Sequence, residues 1–178
     1  MSKRSQPFVQ GDCDALCGCY CIVNAVHYLH GYIDDEQAEN IFMDILHELN
    51  DSEELLIRIE EGTGKREIRK LMDYLKTDHH IYWHKPFRYK TNQTLKNIWN
   101  SMSCFLEQAQ HGIILLLIRH EGEGHWTLIK KVTDKTLILF DSDNLKVILR
   151  RRCTLSHFSK NRPYTLHPTT IYYLTRKP

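Results

Sequence analysis

The hydrophobic period of this 178-residue chain changes once, near residue 110, and that switch constrains the fold more than any other feature. Upstream, apolar residues recur three and four positions apart. Ala38, Ile41, Phe42, Ile45, Leu46 and Leu49 form one such stretch; Ile68, Leu71, Met72 and Leu75 form a second; Leu95, Ile98, Trp99, Met102 and Leu106 form a third. Each spacing lays an apolar stripe along one side of a helix. Downstream, short apolar runs at 113–118, 126–132, 136–140, 145–149 and 170–174 read as strands. Turn residues separate them, at Glu121-Gly122-Glu123-Gly124, Thr133-Asp134-Lys135 and Ser142-Asp143-Asn144. Helices followed by an antiparallel meander predict an α+β fold. A single domain over residues 1–178 follows, helical to about residue 110 and sheet from 111 onward.

Within the helical part, Asp14 reads as the N-cap of a first helix that runs to about His30 and stops at Gly31. A second helix starts after Asp34-Asp35, a short one covers 52–60, and a further one covers 65–76. A strand at 81–83 precedes the last helix, from 91 to about 110. Gly62-Thr63-Gly64-Lys65 lacks the preceding strand and the full spacing of a phosphate loop, and reads as a glycine break before a helix.

A formal charge of +2 is too small to argue for nucleic acid or a membrane surface as partner, and Arg150-Arg151-Arg152 reads as a solvated strand end. The opening MSKRSQPFVQ has no apolar core of a secretory signal, and the run GIILLLI at 112–118 is far short of a membrane span. The expectation is a cytoplasmic protein, or one exported without a cleaved signal, whose six cysteines stay reduced.

Four of those cysteines fall within nine positions: Cys13, Cys17, Cys19 and Cys21. They lack the paired spacing of a zinc site, and a helix starting near Ala15 puts Cys17 and Cys21 on one face and Cys19 on another, so no metal is expected. Cys19, Cys21, Cys104 and Cys153 read as small buried apolar groups. Cys17 differs. In the first turn of a helix, unpaired N–H groups and the helix dipole stabilise a thiolate, and Gly18 leaves room for another chain to approach.

A nucleophilic thiol needs a base, and the base needs an orienting group. Among eleven histidines, His125 stands at the mouth of a strand, in Gly124-His125-Trp126, where it can face a cleft. His27, His30 and His47 lie within helices, where surface or capping roles are expected. The hairpin after His125 returns Asp141 beside it, with Asp143 and Asn144 as reserves and a turn-initiating role as the plainer reading of Asp141. A slip of one residue in register would turn Asp141 to the other face. Gln10, seven positions before Cys17, can donate its amide to a developing oxyanion, with the Cys17 N–H as second donor.

Gln10, then Cys17-Gly18 at a helix start, then Gly124-His125-Trp126, then Asp141 one hairpin later, resembles the papain-like cysteine proteases in kind and order. The Q-x6-C spacing, with Tyr20 and the Asn24-Ala25 pair behind it, looks most like the compact bacterial branches, which include staphopains and the double-glycine leader peptidases of bacteriocin exporters. In the latter an aspartate about sixteen residues after the histidine completes the triad, the separation of His125 and Asp141. The tryptophan of the Q-G-x-C-G-S-C-W motif of papain is missing here. Cys13 aligns with the earlier, structural cysteine of that motif, or is itself the nucleophile if the helix starts earlier. Residues 32–110 match no named pattern.

The resemblance implies a papain-like fold whose central helix carries the cysteine against the sheet. It implies acyl transfer by Cys17, His125, Asp141 and Gln10 with no cofactor, a protein or peptide substrate, and a cognate inhibitor or immunity protein as a further partner. Three readings compete: a thiol peptidase, an effector or toxin-type glutamine deamidase or transglutaminase-like acyl transferase on the same triad, and a non-catalytic binding or immunity protein. New chain termini mark the first, deamidated glutamine the second, and an inconsequential Cys17→Ala the third.

Overall fold

The computed structural model of the chain describes residues 6–11, 14–50, 59–88 and 92–176. Four long helices occupy them: α1 (Cys17–His30), α2 (Asp35–Leu49), α3 (Lys65–Asp78) and α4 (Leu95–Gln108). Seven strands form one sheet: β1 (Ile81–His84), β2 (Gly112–His120), β3 (Glu123–Val132), β4 (Thr136–Leu139), β5 (Val147–Leu149), β6 (Cys153–Thr154) and β7 (Tyr164–Arg176). The order across it is β1-β7-β2-β3-β4-β5, with β6 parallel to β7 and every other pairing antiparallel.

Both sheet faces are covered, and that explains the unbroken apolar run of β2. Ile113 and Leu115 join the core made by α1, α2 and α3. Ile114 and Leu116 point the other way, into a second core with Ile98, Trp99 and Met102 of α4. A helix that is apolar all round belongs inside. α1 is such a helix: Cys19, Ile22 and Ala25 are wholly buried, and its neighbours are α2, α3, β2 and β3. The central helix therefore meets β3 at the point where the chemistry-bearing residues lie.

Local signals set most boundaries. Asp34 and Gln37 form a reciprocal capping box at the start of α2, and Gly31, at φ +88°, ends α1. Thr94 caps α4, so that helix starts later than expected, and Thr91 lies outside the described residues. Of the expected helix at 52–60, residues 59 and 60 are helical and the rest lies outside the described residues.

Other expectations are corrected. Asp14 does not occupy the N-cap of α1. Leu16 does, and Asp14 Oδ1 accepts the Leu16 N–H at 2.9 Å, which stiffens the approach to Cys17. The meander covers only β2 to β5, because β7 returns along the far side of β2 and β1 pairs with it. The four-residue loop expected at 121–124 is a two-residue turn. Glu121 and Gly122 both have positive φ, +53° and +106°, the geometry that matches the twist of a tight hairpin. His27 is buried and its Nδ1 accepts the Ile33 N–H at 3.1 Å, so it braces the turn after α1 from inside. Cys104 is exposed on α4.

Candidate active site

Cys17 is the first residue of α1, so its N–H has no acceptor within the helix. Its side chain is 7% exposed, and the Trp126 N–H donates to Sγ at 3.4 Å. This contact crosses 109 positions of sequence and docks the helix start against β3. His125, next to Trp126, lines the same cleft as Cys17, and the Cys17 side chain is among the groups that raise its pKa.

His125 Nε2 and Asp141 Oδ2 are 2.7 Å apart, with the carboxylate fully buried. With Nε2 engaged by Asp141, Nδ1 is the ring nitrogen left to exchange a proton with the thiol. Oδ1 of Asp141 meanwhile accepts the N–H groups of Asp143 and Leu145, at 2.9 and 3.1 Å. One oxygen thus holds the turn and the other contacts the imidazole.

The register that achieves this depends on a bulge. Val132 pairs with Leu137 and Lys131 with Ile138, but Ile129 pairs with Leu139, so Lys130 is an extra residue in β3. Past the bulge, Phe140 N–H donates to Leu128 O, and the same register sets Asp141 opposite Thr127. Thr127 is two residues from His125, and Asp141 therefore shares the His125 side of the ladder. Without the extra residue Asp141 would lie opposite Leu128, facing away.

Electrostatics agree with the contacts. Burial alone would lower the imidazole, but hydrogen bonds to Asp141 and Cys17, with the charges of both, outweigh it and hold His125 up at about 10. Burial alone would raise Asp141, yet the hydrogen bond and charge of His125 keep its carboxyl below the usual range. Burial pushes Cys19 and Cys153 up to about 12 and Cys21 well above an ordinary thiol, which leaves these three unreactive.

Gln10 lines the same cleft as Cys17 and His125, a cavity of about 430 Å³. Its backbone N–H donates to Ser142 O at 3.0 Å, and the Ser142 hydroxyl donates to Gln10 Oε1 at 3.3 Å. With Oε1 so engaged, Nε2 is the end free to donate into the cleft. Cys13 lies outside the described residues.

Two contributors, Thr63 and Ser142, were not singled out from the sequence, and Gly18 has a different neighbour from the one expected. Thr63, in the loop between the two glycines, forms a cleft wall; its carbonyl accepts the Trp126 indole N–H at 2.8 Å. Gly18 makes room for that loop, since a Cβ there would meet Thr63 Cβ at 2.7 Å; the approaching chain is this protein's own. Ser142 is wholly buried behind Gln10. The glycines at 18, 62 and 64 were the available signal. Among the described residues, no group of three histidine, cysteine or acidic side chains is placed to hold a metal ion.

No protein-family model matches the chain, and no curated protein matches its sequence. Its structure is similar to the peptidase domain of Streptococcus ComA, a bi-functional ABC transporter involved in a quorum-sensing pathway. The TM-score is 0.52 at 14% sequence identity, over 97% of this chain and 99% of that one. The likeness shows the fold: helices packed on a seven-stranded sheet in the manner of papain-like peptidase domains.

Proposed function

We propose that this protein is a papain-like cysteine peptidase that cleaves peptide bonds through Cys17, His125 and Asp141, with Gln10 as oxyanion donor. The observation that carries the reading is that Gln10, Cys17 and His125 line one cleft, with the Asp141 carboxylate 2.7 Å from His125 Nε2. His125, held protonated by its neighbours, carries the proton that the Cys17 thiol gives up on becoming the nucleophile. The sulfur attacks the substrate carbonyl carbon and forms a C–S bond, and the carbonyl electron pair moves onto oxygen. That oxyanion takes hydrogen bonds from Gln10 Nε2 and the Cys17 N–H.

Collapse of the tetrahedral adduct breaks the C–N bond while His125 gives its proton to the departing amine. Water, losing a proton to His125, then attacks the thioester, and the thiolate leaves from a carboxylic acid product. Asp141 holds the ring in one tautomer and stabilises the imidazolium throughout.

The protein incubated with a proteome-derived peptide library, read by mass spectrometry beside Cys17→Ala, tests the reading. New termini made by the wild type and absent with the variant support it. An uncut library, or one in which only glutamine side chains are deamidated, contradicts it.

A further inference from the structure

The strand that carries His125 at one end reaches a second cavity at the other. This cavity, of about 650 Å³, is lined by Lys135, Arg150, Arg151 and Arg162 with Asp134, and by Leu95, Leu149 and Cys153. It shares no residue with the cleft at Cys17, and the ten residues of β3 separate the two by about 30 Å of strand. Its size is that of a small-molecule site.

Of the three consecutive arginines at the end of β5, Arg151 and Arg152 are exposed as expected, and Arg150 is not. The three form a 3₁₀ turn after β5. Arg150 lies half-buried with its guanidinium 5.3 Å from the centre of the Trp99 ring. Its Nη1 donates to Asp134 O at 3.3 Å and its backbone N–H to Lys135 O at 2.8 Å. Trp99 Nε1 donates to Thr133 O at 2.6 Å, so the β3–β4 turn is clamped from two sides. Arg150 is thereby fixed before any ligand arrives.

Four cations against one carboxylate leave three positive charges in excess within the cavity, and among the described residues none of the four forms an ion pair. Guanidinium groups match phosphate oxygens two at a time. Leu95, Leu149 and Cys153 add apolar surface to the lining, which suits an organic ring better than a bare anion.

We infer that this cavity binds an organic polyphosphate of nucleotide size, the phosphates on Arg151, Arg162, Lys135 and Arg150 and the ring on the apolar surface. The inference is independent of the chemistry at Cys17, because it is read by binding alone.

The test is calorimetric titration of the full chain with ATP, with inorganic tripolyphosphate and with adenosine, at low ionic strength. Arg151 and Arg162 are exposed and make no described side-chain contact, so Arg151→Gln with Arg162→Gln keeps the fold, as circular dichroism can verify. Saturable one-site binding of ATP, tighter than tripolyphosphate, with adenosine silent and the double variant about tenfold weaker or more, is the expected result. The inference is overturned by no saturation at millimolar ATP, by equal affinity in the double variant, or by tripolyphosphate binding as tightly as ATP.

Discussion

His125 and Asp141 lie sixteen positions apart in sequence and 2.7 Å apart in space, and a single extra residue in the strand between them sets their common orientation. Lys130, the bulged residue, makes the hairpin deliver the carboxylate to the imidazole and not to the opposite face.

Asp141→Ala removes both the charge and the acceptor behind His125, whereas Asp141→Asn keeps an acceptor. Both variants are expected to lose kcat, by up to about 10⁴-fold where the orienting carboxylate is gone. In both, the imidazole titration followed by NMR moves down from about 10 toward the ordinary value, because the pull of Asp141 is gone.

The same pull makes stability depend on pH. His125 binds its proton more tightly folded than unfolded, so the folded chain holds more protons between the two values. The stabilisation is complete below the ordinary histidine value near 6.5 and is lost as pH rises through about 10. Urea midpoints are therefore expected to fall over that interval more steeply for the wild type than for His125→Gln. Parallel pH profiles for the two would contradict the assignment.

In the proposed mechanism Ser142 acts on the oxyanion through Gln10, whose Oε1 accepts its hydroxyl. Ser142→Ala frees the far end of the amide, and one hydrogen bond of about 1 kcal/mol corresponds to a loss of about fivefold in kcat. Gln10→Ala loses more. In a double-mutant cycle the serine change is silent once Gln10 is absent, while independent roles would give additive losses.

Gly18→Ala drives a Cβ to 2.7 Å from Thr63 Cβ and 3.0 Å from Ile68 Cδ1, with little free volume on either side. Overpacking of this kind costs about 1–3 kcal/mol. Thermal denaturation should show a lower midpoint, and activity should fall as well, since Thr63 walls the cleft.

Much of the layout was legible because it is locally encoded. The capping box of α2, the stop at Gly31, the helical stripe of α3 and the change to strands near residue 110 all rest on neighbours a few positions apart. β7 starts at Tyr164, six residues before the expected Thr170, although a proline within a strand, here Pro168, normally interrupts it. Here it falls where the β2–β7 register shifts: Leu116 pairs with Ile171 and Ile118 with Leu166, which leaves 167–170 outside the ladder and asks no hydrogen bond of the proline.

The site was legible in its residue types and less so in its geometry. Gln10, Cys17 and His125 line one cleft, and Asp141 lies behind His125. The bulge at Lys130 carries no signature in Ile129-Lys130-Lys131, since it is decided by how β4 and β5 seat against their neighbours. Strand order was equally hidden, because the return of β7 beside β2 is a contact between distant segments.

The most direct test of the central claim is alkylation by iodoacetamide at about pH 6, with each cysteine followed by mass spectrometry. Cys104 is exposed, while Cys17 is nearly covered, so access alone favours Cys104. The account predicts that Cys17 reacts first, ahead of Cys104 and Cys13, and that His125→Ala abolishes this preference. Modification of Cys17 no faster than Cys104, or a preference unchanged in His125→Ala, would contradict it.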